Sequence, residues 1–184
     1  MRSILILGLL FFTLTGSTTA QWIQSFENLG MYKVTITGIT SDEQALYTSR
    51  LITECTNVLI ARISETGDGT IFTEGEISFN EILQKLSVIP GIEIGERYQV
   101  KPSPEDYMET YNNYRRYPVD LSKTLPPQVI ILDKEKQSRA HSVMKALWMQ
   151  KYPDLYQQAL SPSNDEDNPE KAEKEKMRLN QQNN

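Results

Sequence analysis

The sequence predicts an α+β fold: a four-stranded antiparallel sheet with two helices on one face, in the order β-α-β-β-α-β, followed by a helical extension. Three observations predict it. Tyr32 to Thr37 alternates apolar and polar residues with a period of two, the pattern of a half-buried strand. Ser41 and Ser78 each stand three residues before a Gln or a Glu, the signature of a helix start. Glu65-Thr66-Gly67-Asp68-Gly69 separates two short strand-like runs and reads as a hairpin turn.

Taken in order, strand one spans Tyr32 to Thr37, with Tyr32, Val34 and Ile36 on one face, and Gly38 ends it. A helix then runs from Ser41 to about residue 55. Asp42 and Glu43 lie in its first turn, where the helix dipole favours negative charge. Ala45, Leu51, Ile52 and Cys55 give it an apolar face that Thr48 and Ser49 interrupt. Val58 to Ile63 and Thr70 to Thr73 form the hairpin strands. Ser78 opens the second helix, on which Phe79, Ile82, Leu83 and Leu86 share a face at helical spacing. Pro90-Gly91 stops it. A fourth strand follows, with Ile92 and Ile94 on one face and an extension through Tyr98 and Val100.

The domain so defined covers residues 31–100, after a linker over 21–30 that carries Trp22 and Phe26. Residues 101–160 form the extension, expected to be mostly helical and to pack on the domain. Ser103-Pro104-Glu105-Asp106 is a helix start with Pro at the first position. Tyr107, Tyr111, Tyr114 and Tyr117 recur every three or four residues until Pro118. Leu125-Pro126-Pro127 is a rigid connector, and Val129-Ile130-Ile131-Leu132 is a candidate strand for an edge of the sheet. Asp133 caps a long helix from Lys134 to about Tyr152, and Pro153 starts a last one ending near Leu160. Residues 161–184 are charged, rich in Asn and Gln and poor in apolar residues, a disordered-tail composition.

The element order is the split βαβ, or ferredoxin-like, arrangement. It leaves the second face of the sheet open to solvent or to a partner. Residues 31–98 resemble the heavy-metal-associated domain, whose first strand leads into a Gly-Met-Thr-Cys-x-x-Cys metal loop. The corresponding stretch is Gly38-Ile39-Thr40-Ser41-Asp42-Glu43-Gln44. Gly38 and Thr40 match, Ile39 replaces the Met, and Ser41 and Gln44 stand at the two thiolate positions. The resemblance therefore implies the fold without a soft-metal site. The run from Lys145 to Tyr156, with Trp148, Pro153 and Tyr156, is similar to an ending found in small exported proteins of Gram-negative bacteria. That similarity implies a packing device of two helices around the Pro, and no chemistry.

Residues 1–20 have the parts of a secretory signal: Arg2, an apolar run from Ile4 to Leu14, and a small-residue stretch ending at Ala20. The expected mature protein is soluble and periplasmic or secreted, without stable membrane insertion after signal cleavage. Formal charge is −5, and loss of Arg2 with the leader makes it −6. That sign speaks against nucleic acid, whose phosphates draw basic partners, and against anionic membranes. The single cysteine, Cys55, allows no disulfide within one chain; it reads as a small buried hydrophobe.

No catalytic or metal-ligating set is expected, and no cofactor. His141 is the only histidine and reads as a surface residue on a basic helix. Asp42-Glu43 and Glu105-Asp106 read as first-turn acids, Asp165-Glu166-Asp167 as part of the tail, and Gly67-Asp68-Gly69 as a turn. Tyr107, Tyr111, Tyr114, Arg115 and Tyr117 form the candidate interaction surface, since Tyr and Arg are favoured at interfaces. The competing reading packs that tyrosine stripe onto the domain. The expected function is an exported, non-enzymatic interaction or accessory module of the envelope, its partner another envelope or secreted protein. The alternative is a periplasmic metal- or small-ligand-binding protein related to metallochaperones but without thiolate ligands.

Overall fold

The computed structural model describes residues 26–160. The leader, Trp22 and the tail beyond Leu160, with Asp165-Glu166-Asp167, lie outside them. Four strands, β1 (Gly30–Thr37), β2 (Val58–Ile63), β3 (Asp68–Thr73) and β4 (Glu93–Val100), form one antiparallel sheet in the order β2-β3-β1-β4. Among the described residues five helices accompany it: α1 (Asp42–Thr53), α2 (Phe79–Leu86), α3 (Pro104–Asn113), α4 (Lys134–Lys151) and α5 (Pro153–Leu160). The fold is α+β.

Capping sets the helix starts. Ser41 Oγ accepts from the amide of Gln44 at 3.2 Å, and Gln44 Oε1 reaches back to the amide and hydroxyl of Thr40, each at 2.7 Å. Ser78 Oγ accepts from the amide of Glu81, but the Glu81 carboxylate turns away to Thr56, whose amide is 2.9 Å distant. Glu81 thus ties the start of α2 to the end of α1 instead of closing its own cap.

Alternation along the strands builds two cores, one on each face. Val34, Ile36, Ala61, Ile63 and Ile71 pack with Ile52 and Cys55 of the α1 end and with Ile82 and Leu86 of α2. Leu83 is left exposed at the rim of its helix face. Met31, Leu59, Ile60 and Phe72 turn the other way and meet Tyr107, Met108 and Tyr111 of α3 and Val143, Met144, Leu147 and Trp148 of α4. A register shift between Val58 and Ile60 inserts an extra residue in β2. Such a bulge breaks the strict alternation, so the adjacent Leu59 and Ile60 both serve the second core. The second sheet face is therefore covered, not open, over β2, β3 and the start of β1. Phe26, expected in a linker, is part of this core, edge-on to Tyr107 at 6.1 Å between ring centroids.

The edge formed by β2 is closed by side chains. Ser49 Oγ accepts from the amide of Ile63 at 2.8 Å, and Thr53 Oγ1 from the amide of Ala61 at 3.0 Å. Each hydroxyl donates in turn to a carbonyl of its own helix, Ala45 and Ser49 respectively. Ser49, one of the two residues that interrupt the apolar face of α1, and Thr53 thus satisfy the side of β2 that faces away from β3. From the far side Lys136 Nζ donates to the carbonyls of Thr53 at 2.6 Å and Cys55 at 3.1 Å. A cation at the C-terminal end of α1 complements the helix dipole, although its burial pulls the Lys136 pKa down.

Candidate interaction site

The site grows from the segment between α3 and α4. The tyrosine spacing predicts a helix to Tyr117, but α3 ends at Asn113. Asn112 then clamps the returning chain: its Nδ2 donates to the Val119 carbonyl at 2.8 Å and its Oδ1 accepts the Val119 amide at 3.1 Å. Trp148 Nε1 donates to the Leu121 carbonyl at 2.7 Å. These bonds lead residues 118–125 across α4 and set up the extended run that follows.

Val129-Ile130-Ile131-Leu132, the candidate edge strand, pairs with no strand of the sheet. It lies along α3 and α4, pinned at alternate residues. The Val129 amide donates to Tyr111 Oη at 3.2 Å, and the Ile131 amide to Gln137 Oε1 at 3.4 Å. Arg115 Nη2 donates to the Pro127 carbonyl at 2.7 Å. Val129 and Ile131 are buried at 3% and 2% exposure, while Ile130 and Leu132 between and after them stand 80% and 76% exposed. In an extended chain neighbouring residues send side chains and main-chain groups to opposite sides. The main-chain groups of Ile130 therefore face away from Tyr111 and Gln137. The result is a short ledge of strand-like backbone carrying two bare aliphatic side chains.

The predicted surface residues divide. Tyr107, Tyr111 and Tyr114 are buried and belong to the second core; they are not an interaction surface. Their hydroxyls still work: Tyr107 donates to the Ala140 carbonyl at 2.9 Å, and burial raises the pKa of all three phenols. Arg115 is half-buried, its pKa lowered by desolvation. Tyr117 alone is open, 76% exposed, with the Arg116 guanidinium 5.7 Å from its ring. His141 is half-buried: its Nδ1 lies 2.9 Å from Tyr111 Oη, and burial, then Lys145 and Arg115, lowers its pKa. The ledge itself was visible in sequence only as a candidate strand.

Other polar groups are engaged locally. Gly38 takes φ +86° and a side chain there would strike the Gly91 carbonyl, so its role is a close crossing of two turns. Ser41 and Gln44 are both committed to the cap of α1. Cys55 is buried, its thiol pushed up to about 11 chiefly by desolvation. Lys33 bonds Asp106 at 2.7 Å and Thr70 at 3.0 Å inside a polar cleft of about 300 Å³ beside α3. Lys33 and Ser103 hold the Asp106 carboxyl below its ordinary range. Among the described residues no three His, Cys, Asp or Glu side chains gather closely enough to hold a metal ion, and no helix is long and apolar enough to cross a membrane. Comparison with protein-family models, with curated proteins and with solved structures gives no match.

Proposed function

We propose that the protein is an exported accessory module of the cell envelope, periplasmic or secreted, which binds another envelope or secreted protein and carries out no reaction of its own. The observation that carries this reading is the ledge. Ile130 and Leu132 are two large aliphatic residues left bare while hydrogen bonds at Val129 and Ile131 hold the run between them, and exposed apolar side chains held together supply an anchor for a partner. Backbone that is extended and unpaired recruits a further strand. The partner on this reading offers an extended segment with aliphatic side chains. The leader-like first twenty residues support export.

The fold is read as ferredoxin-like. Its support is the central β1, the antiparallel order β2-β3-β1-β4, and the joining of β1 to β2 and of β3 to β4 by α1 and α2. The likeness to heavy-metal-associated domains extends to that arrangement and not to their metal loop.

A photo-activated cross-linking residue placed at Ile130 in the producing cells tests the function. One discrete adduct is expected there, absent with the probe at the exposed Val88 just past the end of α2, and lost when Leu132→Lys is added. Equal or absent labelling at both positions would overturn the reading.

A further inference from the structure

The sheet has one closed edge and one open one. Among the described residues no strand lies beyond β4, and β4 is exposed along nearly its whole length. Its register fixes which main-chain groups point outward. The Ile36 amide donates to the Gly67 carbonyl on the β3 side at 2.8 Å. By alternation the main-chain groups of Met31 and Lys33 face β4, where they meet Val100 and Tyr98. The groups of Arg97 and Gln99 therefore point away from the sheet. An extra residue in β4, opposite the stretch between Val34 and Ile36, limits the regular open run to its C-terminal half.

The charges of this strand are ordered. Glu93 and Glu96 come first, then Arg97 and Lys101. Such an edge repels itself in parallel and complements itself in antiparallel. We propose that β4 pairs with β4 of a second copy of this chain about a two-fold axis at Tyr98, giving one eight-stranded antiparallel sheet. In that register Arg97 faces Gln99 of the second copy, and each such pair exchanges two main-chain hydrogen bonds. Glu96, where the regular run begins, faces Val100 of the second copy, and the acidic end of each strand lies along the basic end of the other. Centring the pair on Arg97 would put two guanidiniums opposite each other. Tyr98, 57% exposed in the single chain, would meet its own copy as a cross-strand aromatic pair. The contact is isologous, as closed two-fold dimers require.

Cysteine scanning in the full mature chain tests the register. Residues facing each other in a non-hydrogen-bonded pair have Cα atoms about 4.5 Å apart, within disulfide range. Tyr98→Cys is expected to give a disulfide dimer under mild oxidation. Glu96→Cys and Val100→Cys are not expected to do so singly, and are expected to do so combined in one chain. Gln99→Pro removes an outward amide and leaves the β1 ladder whole; sedimentation should show its dimer lost and circular dichroism its fold kept. Ile130→Lys should leave the dimer unchanged, which separates this contact from the ledge. A monomer at all concentrations to about 1 mM, or equal cross-linking at 96, 98 and 100, would overturn the proposal.

Discussion

Ser49 and Thr53 show how much one hydroxyl can decide. Each accepts a buried main-chain amide of β2 and donates to a carbonyl of α1. Removing either leaves a buried amide without a partner, which costs about 1–3 kcal/mol. Thr48, equally buried one turn away from Ile52, has a hydroxyl with no partner. Chemical denaturation should therefore show Ser49→Ala and Thr53→Ala destabilised by that amount, and Thr48→Val unchanged or more stable. Loss of stability in Thr48→Val matching the other two would show that the hydroxyls act through something other than the β2 edge. In sequence Thr48 and Ser49 look alike, as interruptions of an apolar face, and Thr53 does not stand out. What separates them is the position of a strand edge, which no local pattern records.

At the scale of elements, Tyr111 links the ledge to a titratable group on α4. Its hydroxyl accepts the Val129 amide and meets His141 Nδ1, and the imidazole, near Lys145 and Arg115, has its proton affinity reduced by burial. Its folded pKa lies below the ordinary 6.5, so between those two values the unfolded chain binds more protons than the folded one. Stability is then retained above about pH 6.5 and falls as the pH drops through the folded value. The Asp106–Lys33 pair acts in the same direction at lower pH, because its carboxyl is depressed in the fold and its contribution fades only as that carboxyl protonates. Urea titrations at pH 7 and pH 5.5 should show a loss for the parent chain and a smaller loss for His141→Gln. An equal loss in both would remove His141 from the account.

Elements also show what the sequence could and could not reveal. The caps at Ser41, Ser78, Ser103 and Asp133 and the Gly67 turn are local, and local chemistry placed them. Strand β4 and helix α5 were found for the same reason. The tyrosine stripe was ambiguous because a helix face that is aromatic at every turn suits a partner and a core equally. Residues 129–132 were a candidate sheet strand because four consecutive apolar residues suit a strand on a sheet and a run laid on helices equally; the in-out alternation of Val129, Ile130, Ile131 and Leu132 is set by what they pack on. Only the Tyr111 and Gln137 hydrogen bonds distinguish the two.

The whole molecule is a sheet clasped from both sides, with β2 buried on each face and along its edge. Its sequence, Val58-Leu-Ile-Ala-Arg-Ile63, is almost continuously apolar, as a doubly covered strand should be. Helices α3 and α4 are thus structural parts of the core, since among the described residues they, with Phe26 and Leu29, cover Met31, Leu59, Ile60 and Phe72. A fragment holding residues 26–100 should keep strand and helix content by circular dichroism but bind a hydrophobic dye strongly and self-associate. A fragment that stays monomeric and dye-free would show that the sheet does not need its second layer.

The clasp of Lys136 on the end of α1 joins groups 81 and 83 positions apart in the chain. Contacts of that span form late, because a long loop must close before they can. Synthesis runs from the N-terminus, so the sheet and its first two helices exist before α4 does. Until Lys136 and Trp148 have followed, the growing chain is a half-finished sandwich with one wet apolar side. The order of events in time, rather than any single contact, sets when this protein is most open to capture by a holding factor or by its own neighbours.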